Sequence, residues 1–160
     1  MGLDMYLNRR SYVKNWDHFK PSDKHKIQVK KGGKIREDIK PDRISYIIEQ
    51  VGYWRKFNAL HKWFVDNVQD GEDDCKEYYV PQSKFQELKT ALLEVKNGKG
   101  KRVNNVPVAE AVLPTADGFF FGGVEYDDYY YKMVDRTLEL LDEVIAEKYG
   151  PAISILGSLK

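Results

Sequence analysis

A chain of 160 residues with 42% hydrophobic side chains and a formal net charge of +1 has material for one ordinary domain with a real core. Its single cysteine, Cys75, excludes an intramolecular disulfide and fits a reducing compartment, so the expected address is cytoplasmic. No run of about 18 apolar residues offers a membrane span, no charged start leads into an apolar secretory core, and Tyr6 stands where a myristoylation signal beginning at Gly2 needs Ser or Thr.

The near-neutral total conceals a division. Residues 1–62 hold 15 Lys or Arg against 7 Asp or Glu, a net of +8, whereas residues 63–160 hold 11 against 18, a net of −7. Such polarity can steer an anionic partner to one end, or draw two halves of one fold together. With 11 Tyr, 7 Phe and 3 Trp, much of the apolar burial must come from rings, many of them carrying a polar tip that wants a hydrogen-bond partner.

In chain order, Leu3, Met5 and Leu7 alternate with Asp4 and Tyr6, the period of a half-buried strand. Residues 14–41 then turn polar and basic, punctuated by Pro21, Gly32-Gly33 and Pro41. They read as an insertion, mobile relative to a single domain spanning 1–160, with a two-stranded ribbon on either side of the double glycine. Arg43–Val51 carries both periods, and its β-branched and aromatic residues favour a strand. From Tyr53 to Val68 the residues Tyr53, Phe57, Leu60, Phe64 and Val68 form a helical stripe.

The acidic loop Asp70-Gly71-Glu72-Asp73-Asp74 ends that helix and precedes a short strand at Lys76–Val80. Ser83 with Gln86 reads as a capping box for a helix carrying Phe85, Leu88, Leu92 and Val95, stopped by the basic, glycine-rich run Lys96–Arg102. Val106–Leu113 is apolar and of undecided type. Phe119-Phe120-Phe121 between Gly118 and Gly122-Gly123 reads as a buried strand. A last helix starts near Asp127 as N-cap, buries Tyr130, Met133, Val134, Leu138, Leu141, Val144 and Ile145, and stops at Gly150-Pro151. The expected fold is α+β: a small, mainly antiparallel sheet packed against about three helices.

Two constellations hold more chemistry than packing needs. On the expected helix, Trp54, Asn58 and His61 recur at spacings of four and three, flanked by Arg55 and Lys62. A ring, an amide, an imidazole and two cations on one face can stack a flat ligand, read its edge and neutralise a phosphate. The plainer alternative is that Trp54 packs in the core while Asn58 and His61 satisfy backbone groups. The second constellation runs from Leu113 to Tyr131 and holds seven aromatics within thirteen residues, with glycines that permit close backbone approach. Thr115, Phe120 and Tyr126 are its candidates for the opposite wall of a pocket.

No catalytic signature stands out: zincin, nucleophile-elbow and dinucleotide fingerprints are missing, so no catalytic residue is assigned. A dispersed acid–base pair of His61 with Asp127 or Glu125 stays open. The acidic loop fits neither an EF-hand nor, with Cys75, a zinc site, so no metal and no cofactor is expected. Basic residues between Lys20 and Lys40 and abundant rings suit phosphate attraction plus stacking. A near-neutral charge and the lack of a nucleic-acid motif make nucleic acid the lesser candidate partner.

Met1–Leu7, the Gly52–Asp74 segment with Tyr53-Trp54-Arg55-Lys56, Asn58 and His61-Lys62-Trp63-Phe64, and the Leu113–Tyr131 block together resemble a family of small, uncharacterised bacteriophage and prophage proteins. The resemblance implies a setting, the cytosol of an infected bacterium, and no reaction. The leading expectation is therefore a non-enzymatic accessory module that holds a small anionic, nucleotide-derived ligand. The alternatives are a protein inhibitor of a host defence or replication factor, and a small nucleotide hydrolase.

Overall fold

The computed structural model describes residues 2–118, 121–147 and 153–159. The fold is mixed α+β, with four α-helices and small antiparallel sheets among the described residues. The chain divides into two compact units, one formed by Met1–Arg9 with Gln50–Lys160 and the other by Arg10–Glu49.

Strand β1 (Leu3–Tyr12) obeys the expected alternation, with Leu3, Met5 and Leu7 buried. Asp4 between them is buried too, and tolerates it because the Tyr53 hydroxyl donates to its carboxylate at 2.5 Å and Arg55 lies 3.6 Å away. Short strands β2 (Lys30–Lys31) and β3 (Lys34–Ile35) form the expected ribbon, turning on Gly32 and Gly33 at φ +58° and +82°. Left-handed backbone at both turn residues is what a two-residue hairpin demands, and glycine supplies it without steric cost.

Strand β4 (Tyr46–Arg55) begins where a strand is expected and runs four residues further than Val51. Helix α1 is correspondingly short, Asn58–Asn67, so Tyr53, Trp54 and Arg55 are strand residues and not the first turn of a helix. Two local features enforce this. Lys56 sits at φ +56°, which breaks helical continuation, and its N–H donates to the Leu3 carbonyl at 2.7 Å, pairing it with β1. Gly52 is required beneath the tryptophan ring, because a Cβ there would lie 2.8 Å from the Trp54 side chain and 2.9 Å from Leu140.

After strand β5 (Glu77–Tyr79), helix α2 (Gln82–Asn97) buries Phe85, Leu88, Leu92 and Val95 as its period requires. Its N-cap is Pro81 and Ser83 lies inside the first turn without a side-chain cap. The capping box does not form, because the proline already sets the extended backbone from which the helix starts. Strands β6 (Arg102–Val103) and β7 (Val106–Pro107) turn on Asn104 and Asn105, both left-handed, and lead into the short helix α3 (Val108–Val112).

Helix α4 (Asp128–Ala146) has Asp127 as N-cap, its carboxylate accepting the Tyr130 N–H at 3.0 Å. Of the expected core face, Tyr130, Met133, Val134, Leu138, Leu141 and Val144 are buried and Ile145 is partly so. Helices α2 and α4 pack together and are pinned by Lys89–Asp142 at 2.7 Å and Lys96–Asp135 at 3.0 Å. The expected stop at Gly150-Pro151 lies outside the described residues. Strand β8 (Ile153–Leu159), which has no counterpart among the expectations, pairs antiparallel with both β1 and β5 and completes the sheet order β4-β1-β8-β5.

Candidate functional site

The turn from β4 into α1 and the loop entering α4 face each other across a cavity of about 410 Å³. Arg55, Lys56, Phe57 and Asn58 form one wall; Thr115, Gly122, Gly123, Glu125, Asp127, Tyr129 and Tyr130 form the other. All belong to the unit that contains α1 and α4. The volume is that of a pocket for a small organic ligand.

Asn58 builds the site rather than decorating it. It is 2% exposed, its amide NH₂ donates to the carbonyls of Phe121 (3.0 Å) and Gly123 (2.8 Å), and its amide oxygen accepts the Ala116 N–H at 3.0 Å. Only one orientation of the amide meets two carbonyls and one N–H, so its direction is determined by its partners. Thr115 closes the same loop from the other end. Its hydroxyl donates to Val124 C=O at 2.9 Å and its N–H donates to the Tyr126 hydroxyl at 3.1 Å. The loop from Leu113 to Tyr126 is thereby fastened to the start of α1.

Left-handed backbone occurs twice at the same place. Lys56 and Gly122 both have left-handed φ, +56° and +85°, and a Cβ on Gly122 would lie 3.2 Å from the Lys56 Cβ. A lysine held in that region costs free energy which the Leu3 pairing offsets. It brings the lysine stem flat against a glycine at the cavity wall.

The tyrosines carry the remaining structure. Tyr129 donates to the Arg55 carbonyl at 2.5 Å, and burial raises its hydroxyl above the ordinary range against the opposing pull of Arg136 and Arg55. Tyr130 donates to the Leu113 carbonyl at 2.8 Å and stands edge-on to Phe57 with centroids 6.0 Å apart. Burial, with Tyr126 and Tyr131 as lesser contributors, holds its hydroxyl firmly protonated. Both cations belong to one wall and both acids to the other. Asp127 is engaged as the α4 cap and Arg55 has Asp4 beside it, while the Lys56 ammonium makes no ion pair among the described residues.

Of the residues singled out from sequence, Arg55, Asn58 and Thr115 line the cavity. Tyr126 supports it from behind through Thr115 and a ring contact with Tyr130 at 5.0 Å. Trp54 does not reach it: 2% exposed, it gives its indole N–H to the Thr137 hydroxyl at 2.9 Å and belongs to the core. His61 is 4% exposed, packs edge-on to Phe121 and places Nε2 2.9 Å from the Asp73 carboxylate. The pairing left open with Asp127 or Glu125 is thus made with Asp73 of the acidic loop instead. Lys62 pairs with Asp66 one turn on at 2.8 Å. Phe120 lies outside the described residues.

Lys56, Gly122, Gly123, Tyr129 and Tyr130 are the lining residues the helical reading passed over. The signal was present in the Arg55-Lys56 pair and in the double glycine, but a helix through Tyr53 turns Lys56 away from both. No group of three or more His, Cys, Asp or Glu capable of holding a metal occurs among the described residues, and no helix among them is long and apolar enough to cross a membrane. No family model, no curated protein and no solved structure matches the chain.

Proposed function

We propose that the chain is a non-enzymatic binding module whose cavity between the Arg55–Asn58 turn and the Thr115–Tyr130 segment holds a small anionic, nucleotide-derived ligand. One observation carries this reading: two adjacent cations, one of them in a strained left-handed backbone, stand at a cavity walled by glycine backbone and tyrosine rings. Arg55 offers a planar fork suited to phosphate or carboxylate, and Lys56 a point charge beside it. Tyr129, 47% exposed, takes the stacking part instead of Trp54, while the buried Tyr130 backs the wall, both hydroxyls being committed to carbonyls. Asn58 and Thr115 hold the wall in place rather than read the ligand. His61 and Lys62 take no part in contact. The resemblance to bacteriophage proteins supplies the setting for this proposal, a module that sequesters a nucleotide-like signal in the infected cell.

The test is mass spectrometry of small molecules released from the purified protein, combined with a thermal-shift panel of nucleotides and cyclic or linear oligonucleotide signals. A nucleotide that raises Tm, and that binds tenfold or more weakly to the Arg55→Ala/Lys56→Ala double variant, is the expected outcome, since each charge-assisted contact is worth roughly a factor of ten. No released ligand and no stabilising nucleotide would overturn it. Turnover of a panel member that persists in His61→Ala would replace binding with catalysis by groups of the cavity itself.

A further inference from the structure

The unit formed by Arg10–Glu49 carries a second concentration of rings and cations that the cavity does not use. It holds eleven Lys or Arg against six Asp or Glu, a net of +5 in forty residues. Its only helical pieces are three-residue 3-10 turns at Pro21–Asp23 and Pro41–Arg43, and its strands are short or belong to the ends of β1 and β4. The rings therefore have little to pack under. Trp16, Tyr12 and Tyr46 are 47%, 48% and 51% exposed.

These rings form one continuous strip. The Trp16 indole N–H donates to the Tyr12 hydroxyl at 2.9 Å, and Tyr12 meets Tyr46 with centroids 5.2 Å apart and planes at 64°. A cation stands at each end: Arg10 lies 5.4 Å from the Tyr46 centroid and Lys14 6.0 Å from that of Trp16. Beside Trp16 opens a cleft of about 530 Å³ lined by Lys14, Asn15, Trp16, Asp17, Lys24 and Asp42. Arg10 and Lys14 each lie over one face of the ring they approach, Lys14 also donating to the Asp42 carbonyl at 2.9 Å, and the Trp16 N–H is satisfied by Tyr12, so what the strip offers is the exposed remainder of its rings.

We infer that this strip binds single-stranded nucleic acid, bases stacking on Trp16, Tyr12 and Tyr46 while Arg10, Lys14 and Lys24 neutralise the backbone. Charge complementarity selects a polyanion, and half-exposed ring faces flanked by cations select unpaired bases over a closed duplex, whose bases are already stacked. The two aspartates at the cleft weaken a purely electrostatic attachment, so stacking must supply a large share of the affinity. The inference does not rest on the nucleotide cavity. Arg55→Ala/Lys56→Ala leaves the Trp16 quenching by oligo-dT unchanged if both readings hold, and the failure of either is seen separately.

The experiment is a fluorescence-anisotropy titration of the full chain with a labelled fifteen-nucleotide oligo-dT at 50 and 200 mM salt, read in parallel with tryptophan emission. Trp54 and Trp63 are buried, so quenching on binding reports Trp16. The expected result is saturable binding with quenched emission that weakens about twentyfold across that salt range, as about three neutralised phosphates require. Trp16→Ala should weaken it a further tenfold, Trp16→Phe much less, and Lys14→Gln/Lys24→Gln should flatten the salt dependence. Thermal melting of each variant alongside separates lost binding from lost folding. No binding at 50 mM salt overturns the inference. So does equal or tighter binding of a duplex, or capture of heparin and oligo-dT alike with no loss in Trp16→Ala.

Discussion

Trp54 and Trp16 are the same residue in two opposite circumstances. Each has its indole N–H satisfied by a hydroxyl at 2.9 Å, Trp54 by Thr137 and Trp16 by Tyr12. Trp54 is enclosed on every side, above Gly52 and against α4, while Trp16 keeps almost half of its surface in water. The difference lies in what each segment can cover. Around Trp54 a four-stranded sheet and long helices provide apolar partners; around Trp16 the chain offers lysines, short ribbons and 3-10 turns. A crowd of rings and cations in sequence therefore marks a core in one unit and an open surface in the other, and regular secondary structure nearby decides which.

Truncating both tryptophans should separate the two units most widely. Trp54→Ala removes a fully packed ring and the hydrogen bond to Thr137, and should cost about 3–5 kcal/mol in urea unfolding. Trp16→Ala should lie within about 0.5 kcal/mol of the parent, as exposed substitutions do. Equal losses would mean that Trp16 is covered in solution and that the two units do not differ as described. Next in size is Asn58→Ala, expected to cost about 2–4 kcal/mol because it leaves Ala116 N–H and the Phe121 and Gly123 carbonyls without their partner. The same change should loosen the Leu113–Tyr126 loop, seen as faster amide exchange at Ala116. Unaltered exchange there would show that the loop holds itself.

Sequence period carried the architecture further than the site. Leu3, Met5 and Leu7, the α2 stripe from Phe85 to Val95 and the Asp127 cap could all be placed from spacing alone. The start of α1 could not. A ring four residues before Phe57 is in phase with a helix of 3.6 residues per turn and equally with a strand of period two, so the helical stripe that takes in Tyr53 is not decided by spacing. What distinguishes them is the left-handed Lys56 and its bond to Leu3, a contact with a residue more than fifty positions away. A helix through Tyr53 would set Trp54, Asn58 and His61 on one face, whereas the strand puts Trp54 in the core and, of the three, only Asn58 lines the cavity. Strand β8 carries Ile153, Ile155 and Leu159 at period two, but seven residues behind a Gly-Pro pair resemble a tail until a sheet is seen to need them.

The smallest effect concerns tyrosine tips. In the unit with the helices these hydroxyls donate to fixed protein acceptors: Tyr53 to Asp4, Tyr129 to Arg55 C=O, Tyr130 to Leu113 C=O and Tyr78 to Asp74 at 2.7 Å. The bond to the Asp74 carboxylate, helped by burial and by the nearby charges of Asp74, Glu72 and Asp70, pushes Tyr78 up to about 12. A tyrosine whose folded value lies above the unfolded one contributes stability that is fully present below the unfolded value, near 10, and is lost as pH rises through 12. Asp74 works in the opposite window. Its carboxylate is lowered, first by Tyr78 and then by Lys76, so its share is present above the ordinary carboxylate range and lost as pH falls through the folded value. Asp74→Asn removes the anion from both ends of this linkage. In an absorbance titration of phenolate, one tyrosine should move from about 12 back toward 10, with thermal stability at neutral pH almost unchanged because the pair lies near the surface. A titration curve identical to the parent's would show that Tyr78 is held protonated by burial alone. The contrast between the two units would then rest on how far the rings of Trp54 and Trp16 are covered.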